Sequence, residues 1–107
     1  MCGVAGEMRF QSESSGADWD FLTRLMQRRG PDDSGIWDDG SACTLSFRRL
    51  AILDLSERGH QPMIHSSGRY ALVFNGEIYN FRELRSQLEA LGASFRSTGD
   101  AEVLLNA

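Results

Sequence analysis

The chain has 107 residues, of which 41% are hydrophobic and 24% charged, so its composition is that of one globular domain rather than a disordered or fibrous chain. Its net charge of -4 comes from dispersed charges without a basic cluster, which argues against nucleic acid as a partner. No apolar stretch reaches the roughly 18 residues that cross a bilayer. We therefore expect no membrane partner and a cytoplasmic protein whose two cysteines, Cys2 and Cys43, are reduced.

The first half of the chain predicts strands around one helix. Loose alternation of small or apolar with polar residues over 3–10 indicates a strand, and QSESSG at 11–16 a turn. Asp18 is placed to cap a helix that runs to the Gly-Pro pair at 30–31. The segment GIWDDGSACTLSFRRLAILDL, residues 35–55, predicts a hairpin at DDG followed by more strand.

The second half predicts shorter strands and two helices. RYALVF at 69–74 is typical of a strand, and a further short strand is expected at 93–96. Asn80 precedes a helix with leucines on one face, which Gly92 ends, and Asp100 is placed to cap the last helix. Hairpins mixed with helices in this way indicate an α+β layered domain.

Cys2 directly follows the initiator methionine. Removal of Met1 would leave a thiol and a free α-amine on one residue. The amine can accept the proton of the thiol at neutral pH, so one residue would supply both nucleophile and base. Taken alone, a cysteine at this position is more often an ordinary small residue than a catalyst.

Four separated blocks resemble a known family. They are CGVAG at 2–6, RRGPDDSG at 28–35, RRLAILDLS at 48–56 and FNGEIYNFREL at 74–84. In this order they resemble the glutaminase domain of asparagine synthetases, which are class II glutamine amidotransferases, and the resemblance covers essentially the whole chain. One departure is Arg28, where many relatives have histidine.

The resemblance implies a fold and a domain organisation. We expect residues 1–107 to be part of the four-layer αββα sandwich of N-terminal-nucleophile hydrolases. The amidotransferase domain is expected to be incomplete at its carboxyl end, and the synthetase domain to be absent.

The resemblance also implies the catalytic residues. Cys2 would attack the side-chain amide of glutamine, form a glutamyl thioester and release ammonia. The side-chain amide of Asn75 and the backbone N–H of Gly76 would stabilise the oxyanion. The alternative for Asn75 and Gly76 is a tight hairpin turn, which an Asn-Gly pair between apolar runs also predicts.

Further positions match residues that hold glutamine. Arg49 would bind the α-carboxylate, and Glu77 and Asp100 would lie near the α-amine. Each has a structural alternative: Arg49 as a surface strand residue, Glu77 as a solvated turn charge and Asp100 as a helix cap. The expected pocket wall, which ordinary strand core would also explain, consists of Leu50, Ala51, Ile52 and Leu53.

Glutamine and an ammonia-accepting synthetase domain or subunit are the implied partners. We expect no cofactor in this chain, and ATP and Mg only in the synthetase domain. We also expect no metal site, because His60 and His65 lack ligand spacing. The acceptor stays open between aspartate and another carboxylate, and a truncated fragment or glutamine-binding module is the non-catalytic alternative. Packing roles are expected for Cys43, Trp19, Trp37 and Tyr79.

Overall fold

The computed structural model describes residues 1–11 and 14–107, so the predicted turn at 11–16 lies partly outside the described residues. These residues form antiparallel sheets and separate helices, which confirms the α+β class. In chain order the elements are β1 (Gly3–Met8), α1 (Trp19–Leu25), β2 (Asp33–Asp38), β3 (Cys43–Arg49), a 3-10 turn (Glu57–Gly59), β4 (Met63–Ile64), β5 (Ala71–Leu72), α2 (Phe81–Ala90) and α3 (Asp100–Asn106).

The larger sheet has the order β1-β3-β2, with both pairings antiparallel. Gly3 lies opposite Arg48, and Asp33 lies opposite Arg49. Because β1 runs against β3, the start of the chain lies beside the end of β3. This register brings Cys2 next to the segment that follows Arg49.

Helix α1 packs on one face of this sheet. The side chain of Asp18 accepts a hydrogen bond from the N–H of Phe21 at 2.9 Å, which confirms the predicted cap. The helix ends at Leu25, earlier than the predicted boundary at the Gly-Pro pair. The hydroxyls of Thr23 and Ser46 are 2.6 Å apart and buried, so a hydrogen bond joins the helix to the middle of β3.

The predicted hairpin at DDG joins β2 to β3 and is confirmed. The carboxylate of Asp39 accepts backbone N–H groups from residues 41–43 at 2.7–3.0 Å, which fixes the turn. Gly40 has a φ of 80°, a conformation that glycine adopts without a steric penalty.

Two strand predictions were too long. Strand β3 ends at Arg49, because the N–H of Ala51 donates to the carboxylate of Asp32 at 2.8 Å and not to a neighbouring strand. Strand β5 contains only Ala71–Leu72, paired with β4. The N–H of Phe74 donates to the side chain of Gln61 at 2.7 Å, which takes the chain out of the ladder.

Helix α2 confirms the predicted stop at Gly92, whose φ of 97° lies in the left-handed region. Asn80 occupies the N-cap position, but its side chain makes no capping hydrogen bond within the described part of the chain. Of the leucines predicted to share one face, Leu84 and Leu88 are half-buried, whereas Leu91 is exposed.

The predicted strand at 93–96 is wrong, since this stretch of the described chain has no ladder. The ring of Phe95 lies 4.5 Å from the guanidinium carbon of Arg85, and the N–H of Arg96 donates to the carboxylate of Glu102. Helix α3 is likewise capped differently from the prediction. Gly99 is its N-cap, and Asp100 is its first helical residue.

The apolar core is small, and its residues lie on β3, β4 and α3. Its fully or nearly buried hydrophobic members are Phe47, Met63, Ala101 and Val103. Among the described residues, none of the helices has the length and hydropathy required to cross a bilayer.

Candidate active site

Cys2, just before β1, makes hydrogen bonds through both its side chain and its carbonyl. Its Sγ accepts a hydrogen bond from the N–H of Leu50 at 3.3 Å. The carbonyl of Cys2 accepts from Nε of Arg29 at 3.1 Å. The thiol also donates to the carbonyl of Leu50, at 3.7 Å.

Arg49 is the last residue of β3 and is buried, so the surface-strand alternative is wrong. Its guanidinium donates to the carbonyl of Ser56 at 2.7 Å and to the carbonyl of Asp54. A Cβ on Gly59 would collide with the guanidinium, so a larger residue there would displace Arg49 from this position. Two of the five N–H groups are used in these bonds, which leaves donors for a carboxylate.

The segment that follows Arg49 is not strand core. Ile52 and Leu53 are exposed by 67% and 51%, and neither belongs to a strand. Both line the cavity described below, together with Leu50. Ala51 does not line it, and instead its N–H is bound by Asp32.

Asn75 and Gly76 follow β5 in an exposed, irregular stretch. They form no hairpin, so that alternative is wrong: β5 pairs with β4, which precedes it. A Cβ on Gly76 would lie 2.9 Å from the ring of Phe74, so a larger residue would force this ring to move. Glu77 is exposed, in agreement with a solvated charge, and also lines the cavity.

Asp100 is buried at the start of α3. Its Oδ2 accepts the N–H of Ile78 at 2.9 Å, so the carboxylate ties α3 to the stretch that follows Gly76. Asp100 therefore braces another segment and is not a cap of its own helix.

A cavity of about 470 Å³ brings these segments together, and this volume is within the range of small-molecule sites. Its walls come from the start of the chain, the end of β3, the stretch after β5 and the start of α3. All the predicted site residues line it except Ala51: Cys2, Arg49, Leu50, Ile52, Leu53, Asn75, Gly76, Glu77 and Asp100.

Sequence reasoning missed Asp54, which also lines the cavity. Hydrogen bonds from the hydroxyl of Ser56 and the N–H of Thr98 hold the pKa of the Asp54 carboxyl well below its usual range. Asp54 is thus a buried carboxylate that is charged at neutral pH. The signal in the sequence was a single acid within the apolar run of RRLAILDLS.

Of the other singled-out residues, Cys43 and His60 lie outside the cavity lining, whereas Tyr79 borders the cavity. Cys43 is half-buried, and burial, reinforced by the charge of Asp39, raises the pKa of its thiol. Tyr79 is 92% exposed, so its predicted packing role is wrong. His60 lies 2.7 Å from the carboxylate of Asp33. Within residues 1–11 and 14–107, no group of three or more potential ligands could hold a metal ion.

The fold and the cavity define an α+β domain with a small-molecule site that contains a thiol, a buried arginine and carboxylates. The glutamine amidotransferase domain model matches residues 1–107. The chain is 37% identical over 110 residues to asparagine synthetase [glutamine-hydrolyzing] 3 of Bacillus subtilis, and 41% identical over 109 residues to asparagine synthetase [glutamine-hydrolyzing] 1 of that organism. These alignments cover 99% and 98% of this chain.

A putative asparagine synthetase [glutamine-hydrolyzing] of Mycobacterium bovis is 45% identical over 92 residues, which are 78% of this chain and 14% of that protein. The chain spans only 18% and 17% of the length of the two Bacillus subtilis relatives. The chain belongs to the glutamine amidotransferase domain family. It corresponds to the amidotransferase part of glutamine-hydrolysing asparagine synthetases.

Proposed function

We propose that this domain hydrolyses glutamine to glutamate and ammonia through a thioester on Cys2. The observation that supports this proposal is the shared cavity: the Cys2 thiol, the Arg49 guanidinium, the Asn75–Gly76 pair and the Asp100 carboxylate all border it. A thiol with nearby groups for an oxyanion and for a charged substrate is the set of parts that acyl transfer needs.

The first half of the reaction forms the thioester. Removal of Met1 frees the α-amine of Cys2, which takes the thiol proton as Sγ attacks the amide carbon of glutamine. The side chain of Asn75 and the N–H of Gly76 donate to the resulting oxyanion, where one such donor contributes about 2.7–4 kcal/mol. The carbon–nitrogen bond then breaks, and the amine returns its proton to the departing nitrogen, which leaves as ammonia.

The second half releases glutamate. Water gives a proton to the α-amine of Cys2 as it attacks the thioester carbon, and the same donors hold the second oxyanion. The carbon–sulfur bond breaks, the sulfur recovers its proton, and the thiol is restored. One residue therefore alternates between base and acid in both halves.

The substrate is held through its two α-groups. Arg49 binds the α-carboxylate with the N–H groups that its carbonyl partners leave free. Asp100, whose other oxygen is bound by the N–H of Ile78, and the exposed Glu77 attract the α-amine. The pocket wall beside the aliphatic part of glutamine is formed by Leu50, Ile52 and Leu53, and Ala51 lies outside this wall.

The ammonia would serve an ATP-dependent synthetase reaction. The names of the relatives support asparagine formation, in which aspartate is the acceptor. Glutamine and an ammonia-accepting synthetase region are the partners in this proposal, and ATP and Mg belong to that region. The four-layer αββα sandwich and a cytoplasmic location belong to the same proposal. Amidation of another carboxylate is the alternative outcome for the acceptor.

A glutamine-binding role without turnover is the second candidate. As long as Met1 is in place, the nitrogen of Cys2 lies in a peptide bond and cannot act as the base. The cavity would then still offer the binding groups for glutamine. The state of the amino terminus therefore separates the two candidates.

The test is release of glutamate from glutamine by the purified 107-residue chain, with mass spectrometry to establish loss of Met1. Cys2→Ala should abolish turnover. Cys43→Ala is the matched control, because Cys43 lies in β3 outside the cavity lining, and it should keep activity. Turnover that survives Cys2→Ala would rule out the thioester route. Binding of glutamine without turnover in a Met-free chain would favour the binding role.

A further inference from the structure

Asp54 connects two walls of the cavity through one buried carboxylate. Its Oδ1 accepts the N–H of Ser56 at 2.9 Å and the hydroxyl of Ser56 at 2.6 Å. Its Oδ2 accepts the N–H of Thr98, 44 residues along the chain, at 2.8 Å. Both carboxylate oxygens therefore accept hydrogen bonds, and Asp54 as a whole residue is only 8% exposed.

The first of these walls carries Arg49. The guanidinium donates to the backbone carbonyls of Asp54 and Ser56. These carbonyls face the guanidinium because the carboxylate of Asp54 closes the turn that contains them. The orientation of Arg49 thus depends on the side chain of Asp54, although the two side chains share no hydrogen bond in the described chain.

The second wall carries Asp100. Thr98 and Gly99 lead directly into α3, and an added Cβ on Gly99 would be in van der Waals contact with Cβ of Asp54, at 3.8 Å. The bond from Thr98 to Asp54 fixes where α3 begins. It therefore fixes the position of Asp100, the first residue of that helix.

The geometry points to Asp54 as a positioning residue that sets the separation between Arg49 and Asp100. This inference rests on the proposed function, in which Arg49 holds the α-carboxylate and Asp100 the α-amine of glutamine. A ligand with two charged groups at a fixed spacing requires both partners at a matching spacing. Asp54 thereby selects α-amino acids without touching the scissile amide.

Asp54→Asn tests this role with little change in size. The introduced asparagine has an NH2 group in place of one of the two accepting oxygens. This NH2 group must face either the N–H of Thr98 or the donors of Ser56, and a donor that faces a donor loses a hydrogen bond. We expect the KM for glutamine to rise ~10-fold to ~100-fold, with kcat within about 3-fold of the original chain. Ser56→Ala removes one of the same bonds more mildly, and we expect a smaller rise in KM.

Asp39→Asn is the matched control. Asp39 also accepts three hydrogen bonds from a turn, but it lies in the hairpin between β2 and β3, outside the cavity lining. The KM of the Asp39→Asn variant for glutamine should stay unchanged. A merely structural role of Asp54 would reduce the active fraction, and hence the apparent kcat, while KM stays within about 2-fold; that result overturns the inference.

A second measurement tests whether Asp54 acts through Arg49. In an Arg49→Lys background, Asp54→Asn should add much less to the rise in KM than it does alone, because the shared contact is already altered. Full additivity would contradict the inference.

Failure of the proposed function gives a different pattern. If the original chain shows no turnover that depends on Cys2, the thioester proposal falls, and calorimetric Kd values for glutamine replace KM. A Kd raised by Asp54→Asn but not by Asp39→Asn still supports the positioning role. Equal Kd values, or no glutamine binding by any variant, overturn it.

Discussion

Individual buried acids in this protein are charged because backbone N–H groups replace water around them. Glu102 is only 3% exposed, yet it accepts hydrogen bonds from the N–H groups of Arg96 and Ser97 and from the Ser97 hydroxyl. Burial alone would raise the pKa of Glu102. The Ser97 hydroxyl and the backbone donors outweigh burial, and the pKa is lowered.

This lowered pKa predicts a pH-dependent stability. The contribution of Glu102 is present above its unfolded pKa of about 4.3 and is lost as the pH falls through the lower folded value. Glu102→Gln should reduce the free energy of unfolding by about 1.5–3 kcal/mol at neutral pH and flatten its decline in acid. Urea unfolding at a series of pH values measures this.

Glu83→Gln, on the exposed side of α2, is the control for the Glu102 substitution and should leave the acid decline unchanged. An equal decline in the original chain and in Glu102→Gln would show that Glu102 is not the source.

At the scale of elements, the loop between α1 and β2 makes hydrogen bonds to the backbone of the segments that carry the site residues. Arg29 holds the carbonyl of Cys2, and Asp32 holds the N–H of Ala51 and donates its own N–H to the carbonyl of Arg49 at 3.0 Å. The RGPDD motif thus acts through the backbone of other segments. None of its residues lines the cavity itself.

Two neighbouring acids of this loop allow a paired test. Asp32→Ala should lower kcat/KM for glutamine by up to about 100-fold, because Leu50 and the Cys2 thiol lose their alignment. Asp33→Ala should have a much smaller effect, since Asp33 contacts His60, which lies outside the cavity lining. Steady-state glutaminase assays compare them, and equal losses would contradict a specific role of Asp32.

At the scale of the molecule, the cavity exists only when distant segments meet. Its walls include Cys2 and residues within three distant segments, 49–54, 74–77 and 97–101, while the apolar core of the described chain is limited to a few side chains. A ligand that touches all four segments joins them. Binding should therefore contribute visibly to the stability of so small a domain.

Glutamine should accordingly raise the melting temperature of the Cys2→Ala variant, which cannot turn it over. At a free concentration about 100 times Kd, binding adds about 2.7 kcal/mol, which corresponds to roughly 10 °C for a domain of this size. Thermal denaturation followed by circular dichroism measures the shift. Asparagine, one methylene shorter, should give a much smaller one, and an equal shift would contradict a site that fits glutamine.

Local signals in the sequence placed several elements correctly. The Asp18 cap, the DDG hairpin and the stop of α2 at Gly92 depend on residues within a few positions of one another. Such interactions form in the same way in many tertiary settings. The resemblance to a family supplied candidate site residues that lie far apart in the chain, which neither periodicity nor capping could have joined.

Other features were decided by contacts over long separations. Asp100 binds the N–H of Ile78, 22 residues earlier, and Asp54 binds that of Thr98, so neither side chain could be assigned from its neighbours in sequence. Residues 93–96 do not form the predicted strand, because the N–H of Arg96 donates to the carboxylate of Glu102 and not to a neighbouring strand. The sequence by itself determined several local elements and the family, because those depend on short-range patterns and motifs. The tertiary structure alone decided which N–H groups the buried carboxylates bind, because a buried polar group requires a partner and only the fold brings that partner near.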